Sequence, residues 1–265
     1  MAYPLLKRSD RLPTVAVVQT LLNAAEPQGE DLVVDGLFGP LTQKRLVKFQ
    51  RDHSSGLKAD GKIGPQSWAA LAVGRGLTIL DAVDITRSGD EWDEPVAIRQ
   101  AGGNPLTSGG MCNGVHDVVA QIRSWARPGS LTLLRFHGHG SPGSMGVSSG
   151  TRGYPSSEFD VRYYESVMRA VLPLRGLFAA NGSVEMHGCR VAAGNGGQRL
   201  LRGMCNALGV PVTAGIRTQY GGGTSTFGFE GPTRTSCPSG KSLVAWSKGL
   251  PPVLATQGRR PGTLR

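Results

Sequence analysis

The sequence predicts two domains: a small all-α module of three short helices over residues 1–75, and an α/β domain over residues 76–265 whose mainly parallel sheet is flanked by helices. Three observations carry this. Apolar residues recur at helical spacing in the first part, a turn-helix segment is duplicated there, and helix and strand patterns alternate through the second part. With 265 residues and a 39% apolar fraction, the chain has material for two compact cores.

In the first part, Val15, Val18, Leu21 and Leu22 follow helical spacing, as do Leu41, Leu46, Phe49 and Gln50 after a helix start at Pro40. Between them Asp35-Gly36-Leu37-Phe38-Gly39-Pro40-Leu41-Thr42 is echoed by Asp60-Gly61-Lys62-Ile63-Gly64-Pro65-Gln66-Ser67-Trp68. The mechanics of each copy are the same. Asp-Gly makes a turn, the apolar residue is pinned inward, and Gly-Pro bends the chain again before Pro opens a helix.

The duplicated unit, with Phe49-Gln50 and the closing Trp68, resembles the peptidoglycan-binding domain type 1 family, a small three-helix module found beside cell-wall hydrolases. That resemblance implies a glycan or stem-peptide groove, with Asp35, Phe38, Asp60 and Trp68 nearest to it. Packing alone is the simpler account of Phe38, Ile63 and Trp68 taken singly.

In the second part, Leu77 to Val83 reads as a strand. Val115, Val118, Val119, Ile122 and Trp125 mark an amphipathic helix, and Leu131 to Phe136 a buried strand. Tyr163 to Leu174 reads as helix and Val184 to Met186 as strand. Leu200, Leu201, Met204 and Leu208 form the stripe of another helix, before a strand from Val210 to Ala214. Frequent glycine pairs point to tight loops around this sheet.

Two strands run into reactive residues: His137-Gly138-His139-Gly140-Ser141-Pro142-Gly143 and His187-Gly188-Cys189-Arg190. Ligands of open α/β sheets bind at the carboxyl ends of strands, so both segments face one cleft if their strands are neighbours. A thiol needs a nearby base to attack a carbonyl, and the oxyanion needs donors, for which the N–H groups of Gly140 and Cys189 are candidates. His137 reads as satisfying a loop carbonyl. His187 shares the face of Cys189 if the strand persists, and supports the thiol or packs. His53 and His116 fall on helical patterns and read as structural or exposed.

The segments His139-Gly140-Ser141-Pro142-Gly143 and Gly188-Cys189-Arg190-Val191-Ala192-Ala193-Gly194 resemble the caspase-like clan of cysteine peptidases, closest to an uncharacterised bacterial branch. The resemblance implies His139 as base and Cys189 as nucleophile of a peptidase or amidase. Met186-His187-Gly188-Cys189-Arg190 also resembles the nucleophile loop of L,D-transpeptidases. Against that stand Met186, where Ser or Thr is expected, and the 50 positions from His139 to Cys189, too long for that family's strand-rich barrel. A zinc site of His137, His139, His187 and Cys189 is a weaker alternative, because carboxylates look scarce nearby. No metal or other cofactor is expected. A protease acting on proteins and a non-catalytic wall-binding protein remain as further readings.

The net charge of +10 lies wholly in the last 105 positions: residues 1–160 carry 16 Lys/Arg against 16 Asp/Glu, and residues 161–265 carry 13 against 3. An acidic partner suits that part. The resemblances select peptidoglycan over nucleic acid, with the module acting as a weak tether that raises local enzyme density. No apolar run reaches membrane-spanning length, and the start lacks a signal-like apolar stretch, so membrane insertion is not expected. The expectation is synthesis in the cytoplasm without a signal peptide, then action on the cell wall or periplasm after secretion or lysis. An antibacterial effector, as of type VI secretion, or an endolysin fits, with a secretion-system component and an immunity protein as partners.

Cys112, Cys189, Cys205 and Cys237 show no metal-binding spacing. If one disulfide forms, Cys112 with Cys237 is the guess, since both sit in loop-like segments, and Cys205 reads as core.

Overall fold

The computed structural model describes residues 2–25, 30–73, 77–86, 93–109, 114–148, 158–222 and 225–251. Its N-terminal part holds α1 (Pro13–Ala25), α2 (Pro40–Asp52) and α3 (Pro65–Leu71). Each begins at a proline, where the fixed φ is preorganised for a helix and no donor is lost. Val15, Val18, Leu21, Leu22, Leu46 and Phe49 pack with Phe38, Ile63 and Trp68 into one core.

The sequence duplication is also a duplication of bonding. Gly36 and Gly61 both take the left-handed conformation, with φ of 75° and 68°, which a side chain would strain. A glutamine from the preceding helix clamps each turn. Gln19 accepts the N–H groups of Asp35 and Gly36 at 3.1 and 3.0 Å, and donates to the Asp35 carboxylate at 2.8 Å. Gln50 accepts the Gly61 N–H at 2.9 Å and donates to the Lys62 carbonyl at 2.8 Å and to Ser67 Oγ at 3.0 Å.

Because Gln50 is 1% exposed, Gln50→Ala leaves buried backbone groups unpartnered and is expected to destabilise the protein by about 1–3 kcal/mol. Urea titration reads this as a lower midpoint. Lys48→Ala, at an exposed position of the same helix, leaves the midpoint nearly unchanged.

The second part runs β1 (Thr78–Asp84), α4 (Asp93–Gln100), β2 (Leu106–Ser108), α5 (Val115–Trp125), β3 (Leu131–His137), β4 (Gly140–Ser141), β5 (Ser144–Gly146) and β6 (Glu158–Asp160). It continues with α6 (Tyr164–Val171), β7 (Phe178–His187), α7 (Gly194–Leu208), β8 (Val212–Gly215), β9 (Thr233–Ser236) and α8 (Leu243–Ser247). The main sheet has the order β2-β1-β3-β7-β8-β9. Its pairs are parallel except β8–β9. An open sheet with α6 between β3 and β7 does not fit the barrel that the transpeptidase resemblance requires. The helix expected from Tyr163 to Leu174 gives way after Val171 to a 3-10 stretch, Leu172–Leu177, where Pro173 brings no N–H to continue the α ladder.

Strand alternation splits the sheet into two unlike faces. Leu80, Ala82, Leu134, Phe136, Val184 and Met186 enter an apolar core with residues of α5, α6 and α7. The opposite face carries Asp81, Arg135, His137, Ser183, Glu185 and His187, all buried. What covers it is the N-terminal module. Thr14 of α1 donates to Glu185 at 3.5 Å, Arg135 donates to the Ala2 carbonyl at 2.5 Å, and the Leu5 N–H reaches the Phe227 carbonyl at 2.7 Å. From the other end of the chain, Leu243 and Ser247 of α8 press on Gly36. The helical module thus supplies the second layer of the α/β sandwich, a packed arrangement in place of the expected tether.

Candidate active site

Parallel β3 and β7 are neighbours, with His137 opposite His187. The two segments that follow therefore leave the sheet side by side at its carboxyl edge. Their contact is close: a Cβ on Gly140 would lie 2.9 Å from both the N and O of Cys189 and 2.6 Å from Val191 Cγ2. Only glycine allows that approach.

Cys189 is half-buried, and its thiol donates to the Gln219 carbonyl at 3.1 Å. The next residue, Arg190, is left-handed with φ 59°, and its N–H bonds the Arg217 carbonyl at 3.0 Å. Non-glycine residues held this way store strain that concentrates at functional sites. His139 is exposed. With Asp84, Gly140, Ser144 and Glu158 it lines a cavity of 180 Å³.

Beneath these loops lies a buried charged layer. Arg135 grips Asp81 through two bonds of 2.6 and 3.1 Å, and His137 Nε2 lies 2.9 Å from the same carboxylate. His137 Nδ1 stands 3.6 Å from Glu94, an ion-pair distance too long for a hydrogen bond. His137 therefore serves carboxylates, not the loop carbonyl expected from sequence. Its ring stacks on His187 at 5.1 Å, and His187 stacks on Phe229 at 4.3 Å while bonding Glu185 at 3.0 Å. The neighbourhood is rich in carboxylates, contrary to expectation. Among the described residues no group of three or more His, Cys, Asp and Glu is arranged to hold a metal ion.

Burial pushes the His137 ring down, but Glu94 and Asp81 outweigh it and lift the pKa to about 9. Burial likewise opposes the charged form of Asp81, yet Arg135 and His137 hold its carboxyl well below the usual range. Burial lowers the pKa of His187, keeping that ring neutral at neutral pH. The raised His137 value sets a pH dependence. Its stabilisation is complete below the unfolded pKa of about 6.5 and is lost as pH climbs through about 9. The loss is expected to be on the order of 3 kcal/mol. Denaturant titrations at pH 6.5 and 9 measure it, and His137→Gln flattens the difference.

Of the residues named for the wall-binding groove, Phe38 and Trp68 are 1% and 2% exposed. Trp68 stacks on Tyr3 and donates Nε1 to the Pro4 carbonyl at 2.7 Å, so both residues serve the core. Asp35 is tied to Gln19 and to the Leu37 N–H. Asp60 alone of the four lines a groove of 740 Å³. Residues Lys58 to Ser67 form one wall of that groove, and Gly228, Phe229 and Glu230 of the α/β domain form the other.

The sequence does carry a signal for the buried layer: Asp81, Arg135 and Glu185 interrupt apolar strands at positions facing one side. Cys205 and Cys237 are buried free thiols, pushed by burial up to about 12 and about 11. Cys237 is thus not half of the guessed disulfide, whose other member, Cys112, lies outside the described residues.

Residues 11–71 match the family described as "Putative peptidoglycan binding domain". The helical layer against the sheet is therefore a peptidoglycan-binding domain. A curated relative from Kitasatospora aureofaciens, described as "Uncharacterized protein in bpoA1 3'region", is 42% identical over 69 residues, which is 26% of this chain and 55% of the relative. The chain thus spans about half the length of this relative. No solved structure matches the chain. Among the described residues no helix is long and apolar enough to cross a membrane.

Proposed function

We propose that the protein is a peptidoglycan-directed cysteine hydrolase that cleaves an amide or peptide bond through Cys189 and His139. The observation that carries this reading is the close approach of Gly140 to the Cys189 backbone, at the carboxyl ends of adjacent parallel strands. His139 takes the thiol proton, and the thiolate adds to the carbonyl carbon. The N–H groups of Gly140 and Cys189 hold the oxyanion. Collapse of the tetrahedral intermediate expels the amine, which takes the proton from His139. Water, deprotonated by His139, then releases the carboxylate and restores the thiol. His187 and His137, anchored to buried carboxylates, fix the strand ends from which both loops depart.

The same reading places the protein among antibacterial effectors or lysins acting on the wall, with a secretion-system component and an immunity protein as partners. Mass spectrometry of muropeptides tests the chemistry. Wild type is expected to release a stem peptide or split a cross-link, and Cys189→Ala and His139→Ala to lower the rate by at least about 10³-fold. Equal product from Cys189→Ala refutes the assignment, and an exchanged terminal residue in place of hydrolysis redirects it to transpeptidation.

A further inference from the structure

The groove of 740 Å³ lies on the seam between the peptidoglycan-binding domain and the α/β domain, and a second cavity of 560 Å³ is lined by Arg190, Arg217 and Tyr220, of which Arg190 follows Cys189 in the chain. Glu230 lines both. It is clasped to the loop touching the thiol: the Glu230 N–H donates to Gln219 Oε1 at 2.8 Å, Gln219 Nε2 donates to the Glu230 carbonyl at 3.0 Å, and the Tyr220 N–H donates to the Glu230 carboxylate at 3.1 Å. Gln219 in turn supplies the carbonyl that accepts the Cys189 thiol. A short, rigid link therefore joins the two cavities.

Their charge has one sign in excess. Lys7, Lys58 and Lys62 line the first cavity and Arg190 and Arg217 the second, against Asp60 and Glu230. The five cations are exposed, and Lys58 stands 3.8 Å from Asp60. Such a surface suits a polymer that carries carboxylates at intervals. The domain that builds most of the larger wall is the one matched to peptidoglycan binding.

We propose that the two cavities are one cleft, and that a single carboxylate-bearing peptidoglycan segment lies across the seam, with lysines of the helical domain at one end and Arg190 and Arg217 beside Cys189 at the other. Binding and bond cleavage then share one occupant, and the domain seam sets which bond reaches the thiol. The inference rests on the hydrolase reading only for the role given to Cys189.

Cosedimentation of the full chain with purified sacculi, in a Cys189→Ala background, tests it. Lys58→Glu/Lys62→Glu and Arg190→Glu/Arg217→Glu are each expected to weaken binding roughly 5- to 30-fold. Arg169→Glu/Arg202→Glu, on helices packed against the opposite sheet face, is expected to stay within about twofold of the parent. Amidating the sacculus carboxylates reproduces the loss for the parent protein. Thermal melts confirm folding of each variant, and Gln replaces Glu wherever a melt shifts. The proposal is overturned if either cleft pair binds like the parent, if the opposite-face pair loses as much, or if duplex DNA displaces sacculi at lower concentration than soluble muropeptides. Failure of the hydrolase reading looks different: the binding pattern persists while wild type releases no product.

Discussion

Removal of residues 1–75 leaves residues 76–265 without a cooperative thermal transition. The deletion strips one whole layer from the sheet and removes the partners of its second face. Arg135 loses the Ala2 carbonyl and Glu185 loses Thr14. Leu77 and Phe229 lose the core they share with Leu6, Trp68 and Leu71. Each large apolar side chain uncovered forfeits about 1.5–3 kcal/mol, against a total stability of only about 5–15 kcal/mol for a typical domain. Calorimetry of the purified fragment reads the outcome. A soluble fragment melting cooperatively near the full chain's temperature contradicts the layered account and restores the picture of a tethered module.

Asp81→Ala is expected to destabilise the folded protein by about 3–5 kcal/mol, because it abandons two buried cations at once. Arg135 and His137 are 0% and 1% exposed, and the Arg135 Nη1 already has no hydrogen-bond partner. Asp81→Asn keeps a polar partner but loses the charge, so a smaller loss is expected, with the His137 pKa falling from about 9 toward its ordinary value. Urea denaturation measures the first effect, and NMR titration of the His137 ring the second. A midpoint unchanged in Asp81→Ala means that the layer is not held by this carboxylate.

Much of this architecture could be read from local pattern. The helix of Val115 to Trp125 was legible from its apolar stripe because a single face is buried against one core. The repeated Asp-Gly turns were legible because left-handed backbone selects glycine. The adjacency of the His139 and Cys189 loops followed from a general rule about parallel sheets, and the register of His137 with His187 agrees with it. Three features were not legible, each for a physical reason. Local periodicity shows that a strand is buried on both faces, not what covers the second one, so the docking of the helical layer was hidden. Phe38 and Trp68 could not be told from ligand-contacting aromatics until the burial of each was known. The Gln219–Glu230 clasp joins loop residues 11 positions apart through side chains and leaves no periodic trace.

If the sulfur of Cys189 attacks the bond that is cut, as proposed, it carries the acyl group for part of each turnover. Rapid acid quenching of wild-type protein mixed with muropeptides, followed by intact-mass and peptide-mapping spectrometry, addresses it directly. An acyl adduct on the peptide containing Cys189 is expected to form before product is released and to fail to accumulate in His139→Ala. Product released by the wild type with no mass ever added at Cys189, or an adduct that forms equally fast without the His139 imidazole, would contradict it.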